Sequence, residues 1–196
     1  MILLDPDLDP DPAPLPAKLS AASSLENSNA ETPDKSLRMP TARTLARFLT
    51  SAHTAVRLKG QVNVLLTTDV AIRRLNRQFR GKNKATDVLS FPAMAIPGIK
   101  GAEAFAGDLA ISVPTARKQA IAHGHSLTIE IKVLMLHGLL HLAGYDHEAD
   151  SGQMARREGK LRAQLRLPLG LIERVVGHPE KRPRKKVSPA SGGQKQ

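Results

Sequence analysis

Residues 129–143 read IEIKVLMLHGLLHLA, and they constrain the fold more than any other stretch. Wound into a helix, this segment is apolar on most of its faces. Such a helix has to be covered all round, so the remaining chain must wrap it as a central element. Thr128 stands where an N-cap would open the helix and Gly144 where a turn would close it. No apolar run in the chain approaches the roughly 18 residues a membrane-spanning helix needs.

Two histidines stand in the second half of this helix. His137 and His141 are four apart, which puts both imidazoles on one face, one turn from each other. Gly144 lets the chain turn sharply, and His147 lies where it can swing back as a third ligand. Three neutral nitrogens with a fourth position left to water describe a catalytic zinc shell. The ordinary alternative is a solvated histidine patch or a structural polar cluster. The spacing is shared with long-form zinc endopeptidases, which carry Glu directly after the first His as general base. Here that position is Gly138, which cannot take a proton, so peptidase chemistry is disfavoured. A zinc-bound water would then act through its own lowered pKa or through another base. Asp146, Asp108 and Glu158 are the candidates. Asp108 either faces the cleft or caps a turn, and Asp146 either orients an imidazole or stays exposed. The chain has no Cys, which excludes disulfides, thiolate metal sites and thiol nucleophiles.

Around this helix the pattern alternates between strands and helices. Leu45, Phe48, Leu49 and Ala52 share a face of a helix over Thr41–Ala52. Gln61–Leu66 alternates as a strand. Asp69 is placed to cap a helix bearing Ile72, Leu75 and Phe79. Thr86–Phe91 is a second strand, stopped by Pro92. The stretch from Ala93 to Ala106 reads as a loop. Leu109, Ile111 and Val113 alternate as a third strand, and Pro114 suits the start of a helix that ends near Gly124. Asp150 or Ser151 opens a helix with Met154, Leu161 and Leu165 on one side, and Leu171–Val176 adds a turn or two. The expected architecture is α+β: a compact single domain, residues 41–177, with a small mixed β-sheet around a central histidine-bearing helix. Residues 1–4 supply a possible first strand. Residues 5–40 begin with an Asp/Pro run, continue Ser-rich, and read as mostly unordered. Residues 178–196 read as a basic flexible tail.

The formal charge of +11, from 29 Lys+Arg against 18 Asp+Glu, favours anionic partners such as nucleic acid. Arg73, Arg74, Arg77, Arg80, Lys82 and Lys84 form a basic ridge that would track a phosphate backbone and set register rather than read bases. Its ordinary alternative is a solvated helix face. No basic amphipathic helix stands out, so a membrane partner is not expected. Met1–Leu4 is followed by acidic residues, no export signal is read, and a cytoplasmic location is expected.

Three ordered stretches carry a family resemblance: LNRQFRGKNKATDVLSFP (Leu75–Pro92), AGDLAIS (Ala106–Ser112) and HGLLHLAGYDHE (His137–Glu148), with Met154 and Glu158 beyond them. The chain resembles the bacterial YbeY-type endoribonucleases, the rRNA maturation RNases. Asn83 stands where that family usually has Asp, and Ala85 where it usually has Pro. The resemblance implies a zincin-like α+β fold and one Zn2+ per chain held by His137, His141 and His147. It implies that Arg80 serves RNA cleavage. It implies single-strand-specific cleavage, maturation of the 16S ribosomal RNA 3′ end and a part in ribosome quality control. The partners it implies are ribosomal RNA, the ribosome or its small subunit, a ribosomal protein and a ribosome-associated GTPase. Two other readings stand beside it: a noncatalytic RNA-binding factor whose zinc holds the fold, and a peptidase that uses the shared spacing.

Overall fold

The structure is a computed structural model that describes residues 1–8, 35–93, 105–147 and 149–168. The elements run β1 (Ile2–Leu4), a single 3-10 turn (Lys35–Leu37), α1 (Ala42–Val56), β2 (Gln61–Thr67), α2 (Asp69–Arg80), β3 (Val88–Pro92), β4 (Phe105–Ser112), α3 (Val113–His123), α4 (Leu127–Leu142) and α5 (Gln153–Leu165). The sheet has four strands in the order β1-β2-β4-β3. The first three are mutually parallel and β3 closes one edge antiparallel to β4. This is the expected small mixed sheet.

Strand alternation sorts the side chains between two layers. Val62, Val64 and Leu66 of β2 and Leu109 and Ile111 of β4 join the main core with α1, α4 and α5. Ala110 and Leu89 point the other way and meet Ile72 of α2. The central helix is α4, buried from Leu127 to Leu140 over nearly every position. Its cap is Ser126, whose hydroxyl accepts from the Ile129 backbone N–H, rather than Thr128. The cap of α2 also lies earlier, by one residue: Thr68 is the N-cap and Asp69 the first helical residue. Asp69 accepts instead from the hydroxyls of Ser112 and Thr115, tying α2 to the start of α3. Val113, expected at the end of a strand, opens α3. α5 begins later than Asp150 or Ser151, with Gly152 as its N-cap residue, while the Asp150 carboxylate accepts from the backbone N–H groups of Gly152, Gln153 and Met154.

Of the stretch expected to be unordered, residues 5–8 and 35–40 are described, and they join the fold. Asp5 continues the sheet edge, its N–H donating to the Leu66 carbonyl at 2.9 Å and its carboxylate accepting from the Thr67 hydroxyl. That hydroxyl, with help from the Asp7 backbone and the charge of Arg74, outweighs desolvation and lowers the Asp5 pKa. Residues 9–34, 94–104 and 169–196 lie outside the described residues, and with them Leu171–Val176 and the basic tail.

β4 also begins earlier than the alternation suggests, because it carries an irregularity. Gln61 pairs with Phe105 and Val62 with Gly107, so Ala106 is an extra residue on β4. Gly107 has φ +145°, and a Cβ there would lie 2.3 Å from the Phe91 carbonyl oxygen. Both the dihedral and the backbone clash exclude any side chain. Gly107→Ala is expected to destabilise the fold by roughly 3 kcal/mol or more, combining backbone strain with overpacking. Urea unfolding of the variant beside wild type measures this.

Candidate metal centre

At its C-terminal end α4 carries His137 and His141. The chain then turns through Gly144 at φ +87°, a backbone that disfavours L side chains, and returns His147 to the first two. The three ring centroids lie 4.8, 5.3 and 5.3 Å apart. The candidate donor atoms all fall within 4.8 Å of one another. His137 is buried, His141 half-buried and His147 exposed, so the cluster is anchored in the core and opens to solvent on one side.

The tautomer of His137 is set from behind. Its Nδ1 lies 3.1 Å from Glu158 Oε2, which is a carboxylate acceptor, so Nδ1 carries the proton and Nε2 presents its lone pair. That Nε2 is 3.1 Å from the Nε2 of His141. Two nitrogens on one tetrahedral zinc, each about 2.0–2.1 Å from the metal, sit about 3.3 Å apart. The donor set and its spacing therefore fit a metal ion of this class. Glu158 is itself held by Arg162, whose Nε and Nη2 donate to Glu158 Oε1 at 2.8 and 2.6 Å. Both residues are buried on α5, at 1% and 2% relative exposure. Burial pushes the Glu158 pKa up, but the His137 hydrogen bond and the Arg162 charge outweigh it and hold the group at about 2. His141 moves in the direction that suits a ligand. Burial, then the charges of His137 and His147, lower its pKa to about 4, against a smaller raising effect of Asp146.

Residues 24–166 match the family model described as Endoribonuclease YbeY. The chain is 47% identical to the Endoribonuclease YbeY of Koribacter versatilis over 152 residues, 78% of this chain and 95% of that one. It is 56% identical to that of Solibacter usitatus over 113 residues, 58% of this chain and 71% of that one. With the protein of that name from Nautilia profundicola it shares 50% identity over 113 residues, 58% and 78% of the two chains. The chain belongs to the YbeY endoribonuclease family. With the histidine triad in place, this YbeY-family chain is a metal-dependent endoribonuclease.

The fold sorts the three base candidates of this YbeY domain. Asp146, on the turn between the second and third histidines, is exposed and close enough to raise the His141 pKa. Glu158 lies behind His137 with both oxygens engaged, away from the open side. Asp108 shares the α2-side face of β4 with Ala110 and accepts from Asn63 Nδ2 at 3.0 Å, so the sheet separates it from α4. Gly138 faces the sheet rather than the cleft. A Cβ there would meet the Leu109 Cδ2 at 2.8 Å and the Ser90 hydroxyl at 3.3 Å. A side chain at position 138 would require the Leu109 side chain to shift, and it would point at β4.

Arg73, Arg74, Arg77, Arg80, Lys82 and Lys84 are all exposed on α2 and the loop after it. Helical spacing puts Arg73, Arg77 and Arg80 along one side, while Arg74 acts on Asp5. Asn76 orders the loop. It is buried, its Nδ2 donates to the Lys84 carbonyl at 2.7 Å and its own carbonyl accepts from the Lys82 N–H at 3.3 Å. The strand expected over Thr86–Phe91 runs instead from Val88 to Pro92, and Thr86 and Asp87 fix the entry into it. The Thr86 hydroxyl and the Val88 N–H both donate to Asp87 Oδ1, and Gln119 Nε2 donates to Oδ2. Phe79, expected on the inner face of α2, is 60% exposed and meets only the edge of the half-buried Phe91. Tyr145 packs against the main core.

Sequence reasoning missed Arg162 and Asn76. Arg162 had a signal: Met154, Glu158, Leu161 and Arg162 repeat at helical spacing, so one inward face of α5 contains an oppositely charged pair. The shifts at His141 and Glu158 have a consequence in acid. Both pKa values are lower folded than unfolded, so the unfolded chain binds more protons and stability falls as pH falls. The His141 contribution is lost from its ordinary 6.5 down to about 4. The Glu158 contribution is lost from 4.5 down to about 2. Metal-stripped protein should melt progressively lower on acidification below neutrality, and His141→Ala should remove the first step. Scanning calorimetry across that range reads both.

Proposed function

We propose that this chain is a zinc-dependent, single-strand-specific endoribonuclease that matures the 3′ end of 16S ribosomal RNA and serves ribosome quality control. One observation carries the metal assignment: Glu158 accepts a hydrogen bond from the Nδ1–H of His137, leaving its Nε2 converged on that of His141. His137, His141 and His147 hold one zinc ion. When bound, it supplies Lewis acidity, either to a phosphate oxygen or to a water.

The chain's own residues do the rest. Arg80, exposed at the end of α2, offers a planar fork of donors to a phosphate of the substrate. Arg73, Arg77, Lys82 and Lys84 follow the adjacent backbone, and Arg74 adds to that field while shared with Asp5. Asp146, on the open side of the triad, is the residue placed to accept a proton. Glu158 and Arg162 hold His137 in the ligating tautomer. No helix among the described residues is long and apolar enough to cross a membrane. The enzyme we propose works in the cytoplasm, on the ribosome or its small subunit. A ribosomal protein and a ribosome-associated GTPase complete the partners we propose.

Arg80→Ala is expected to keep its bound zinc and lose about 100-fold or more in cleavage of single-stranded RNA carrying the 16S 3′ region. Zinc content by mass spectrometry and cleavage rates measure the two halves. Undiminished cleavage removes Arg80 from the reaction. Loss of zinc along with activity makes its role structural.

A further inference from the structure

The other end of α4 holds a second convergent cluster. α3 ends at His123, the chain turns at Gly124, and His125 and Ser126 lead into α4. The two histidines therefore flank one tight turn. Glu130, in the first turn of α4, points back at them. His125 Nε2 is hydrogen-bonded to Glu130 Oε2, and His123 Nδ1 lies 3.8 Å from the same oxygen. The ligand-type atoms of all three fall within 4.8 Å of one another.

We propose that His123, His125 and Glu130 form a second divalent-cation site, for a borderline ion of the zinc class. Two imidazoles and one carboxylate are a donor set that such ions favour, and they leave a position open. The burial gradient suits entry. The Glu130 side chain is fully buried, that of His125 is 10% exposed and that of His123 34%, so the cluster is closed inside and reachable outside. A carboxylate side chain taken wholly out of water is costly to keep charged, and a divalent ion beside it offsets that cost directly. The ligands are also held before any ion arrives. The His125 N–H donates to the Ala120 carbonyl, and the Ser126 hydroxyl and carbonyl accept from Ile129 and Glu130. Binding through His125 Nε2 needs that atom's lone pair, so the ring proton must sit on the other nitrogen in the loaded site.

This site is separate from the triad. Glu130 and His137 are seven residues apart on one helix, about 10 Å along its axis. No residue serves both. A cation here staples α3 to the start of the buried helix whose other end bears the triad.

The test is calorimetric titration of Zn2+ into chelator-stripped full-length protein near neutral pH. Wild type should take up two equivalents, His123→Ala one and His141→Ala one, with heat lost at a different affinity in each variant. His123 is exposed, so its alanine variant should keep the wild-type circular dichroism, which separates a lost site from a lost fold. A single equivalent in wild type overturns the proposal. So do two equivalents in His123→Ala.

Discussion

Arg162→Ala is expected to cost about 3–5 kcal/mol of stability and to weaken metal binding about 10–100-fold, although Arg162 touches no ligand nitrogen. The guanidinium is 2% exposed, and its Nε and Nη2 both donate to one oxygen of Glu158. Its Nη1 donates to the Pro168 carbonyl at 2.8 Å, tying the chain beyond α5 to the same centre. Removing Arg162 leaves Glu158 buried at 1% exposure without its cation. Protonating Glu158 relieves that charge, but a protonated oxygen no longer draws the Nδ1 proton of His137 as firmly. The second effect reaches the metal. Stability and metal affinity separate in the paired variant Glu158→Leu/Arg162→Met, in which no buried charge is stranded. That variant should recover most of the lost stability, because an apolar pair of similar volume often replaces a buried ion pair at little cost. It should not recover metal affinity, because nothing then holds the His137 ring and tautomer. Urea midpoints and competitive zinc titration give the two numbers. If affinity returns together with stability, Glu158 and Arg162 serve the core and have no part in orienting His137.

The second large effect is on activity. His141→Ala is expected to lower RNA cleavage by more than about 100-fold, since losing a ligand should exceed the loss seen for outer hydrogen-bond partners. The fold should survive, because His141 is half-buried at the mouth of the cluster while Leu136, Leu139 and Leu140 carry the packing of that turn. The assay is cleavage of single-stranded RNA carrying the 16S 3′ region by the two proteins purified in parallel. Cleavage by wild type alone ties the reaction to the triad. Equal cleavage by both places the active site elsewhere. A stably folded, metal-loaded wild type without cleavage of free RNA or of the ribosomal substrate favours a noncatalytic zinc-stabilised factor.

The triad was legible because it is local. His137 and His141 share a helix face by spacing alone, and Gly144 brings His147 back within one turn. Alternation likewise identified β2 and the inward part of β4. Element ends were less legible. Ser126 and Thr68 cap where Thr128 and Asp69 were expected, because several polar residues in a row can each cap, and packing of the buried turn chooses the register. Phe79 continues the apolar spacing of Ile72 and Leu75, yet it runs past the small core beneath α2 and stays 60% exposed.

By itself, then, the sequence determined a buried central helix, a three-histidine cluster at its end and the YbeY family. Each depends on residues close together in the chain, where helix and turn geometry leave few choices. The tertiary structure alone decided what stands around them. Asp108 and Leu109 are neighbours in one strand, but only the packing of α2 and α4 on opposite faces sends the carboxylate away from the metal centre and the leucine against Gly138. Only the docking of α5 brings Glu158, 21 residues along the chain, onto His137 Nδ1. A period of two says that successive side chains part company. Which side receives which helix is settled by burying the largely apolar α4 against the larger hydrophobic face.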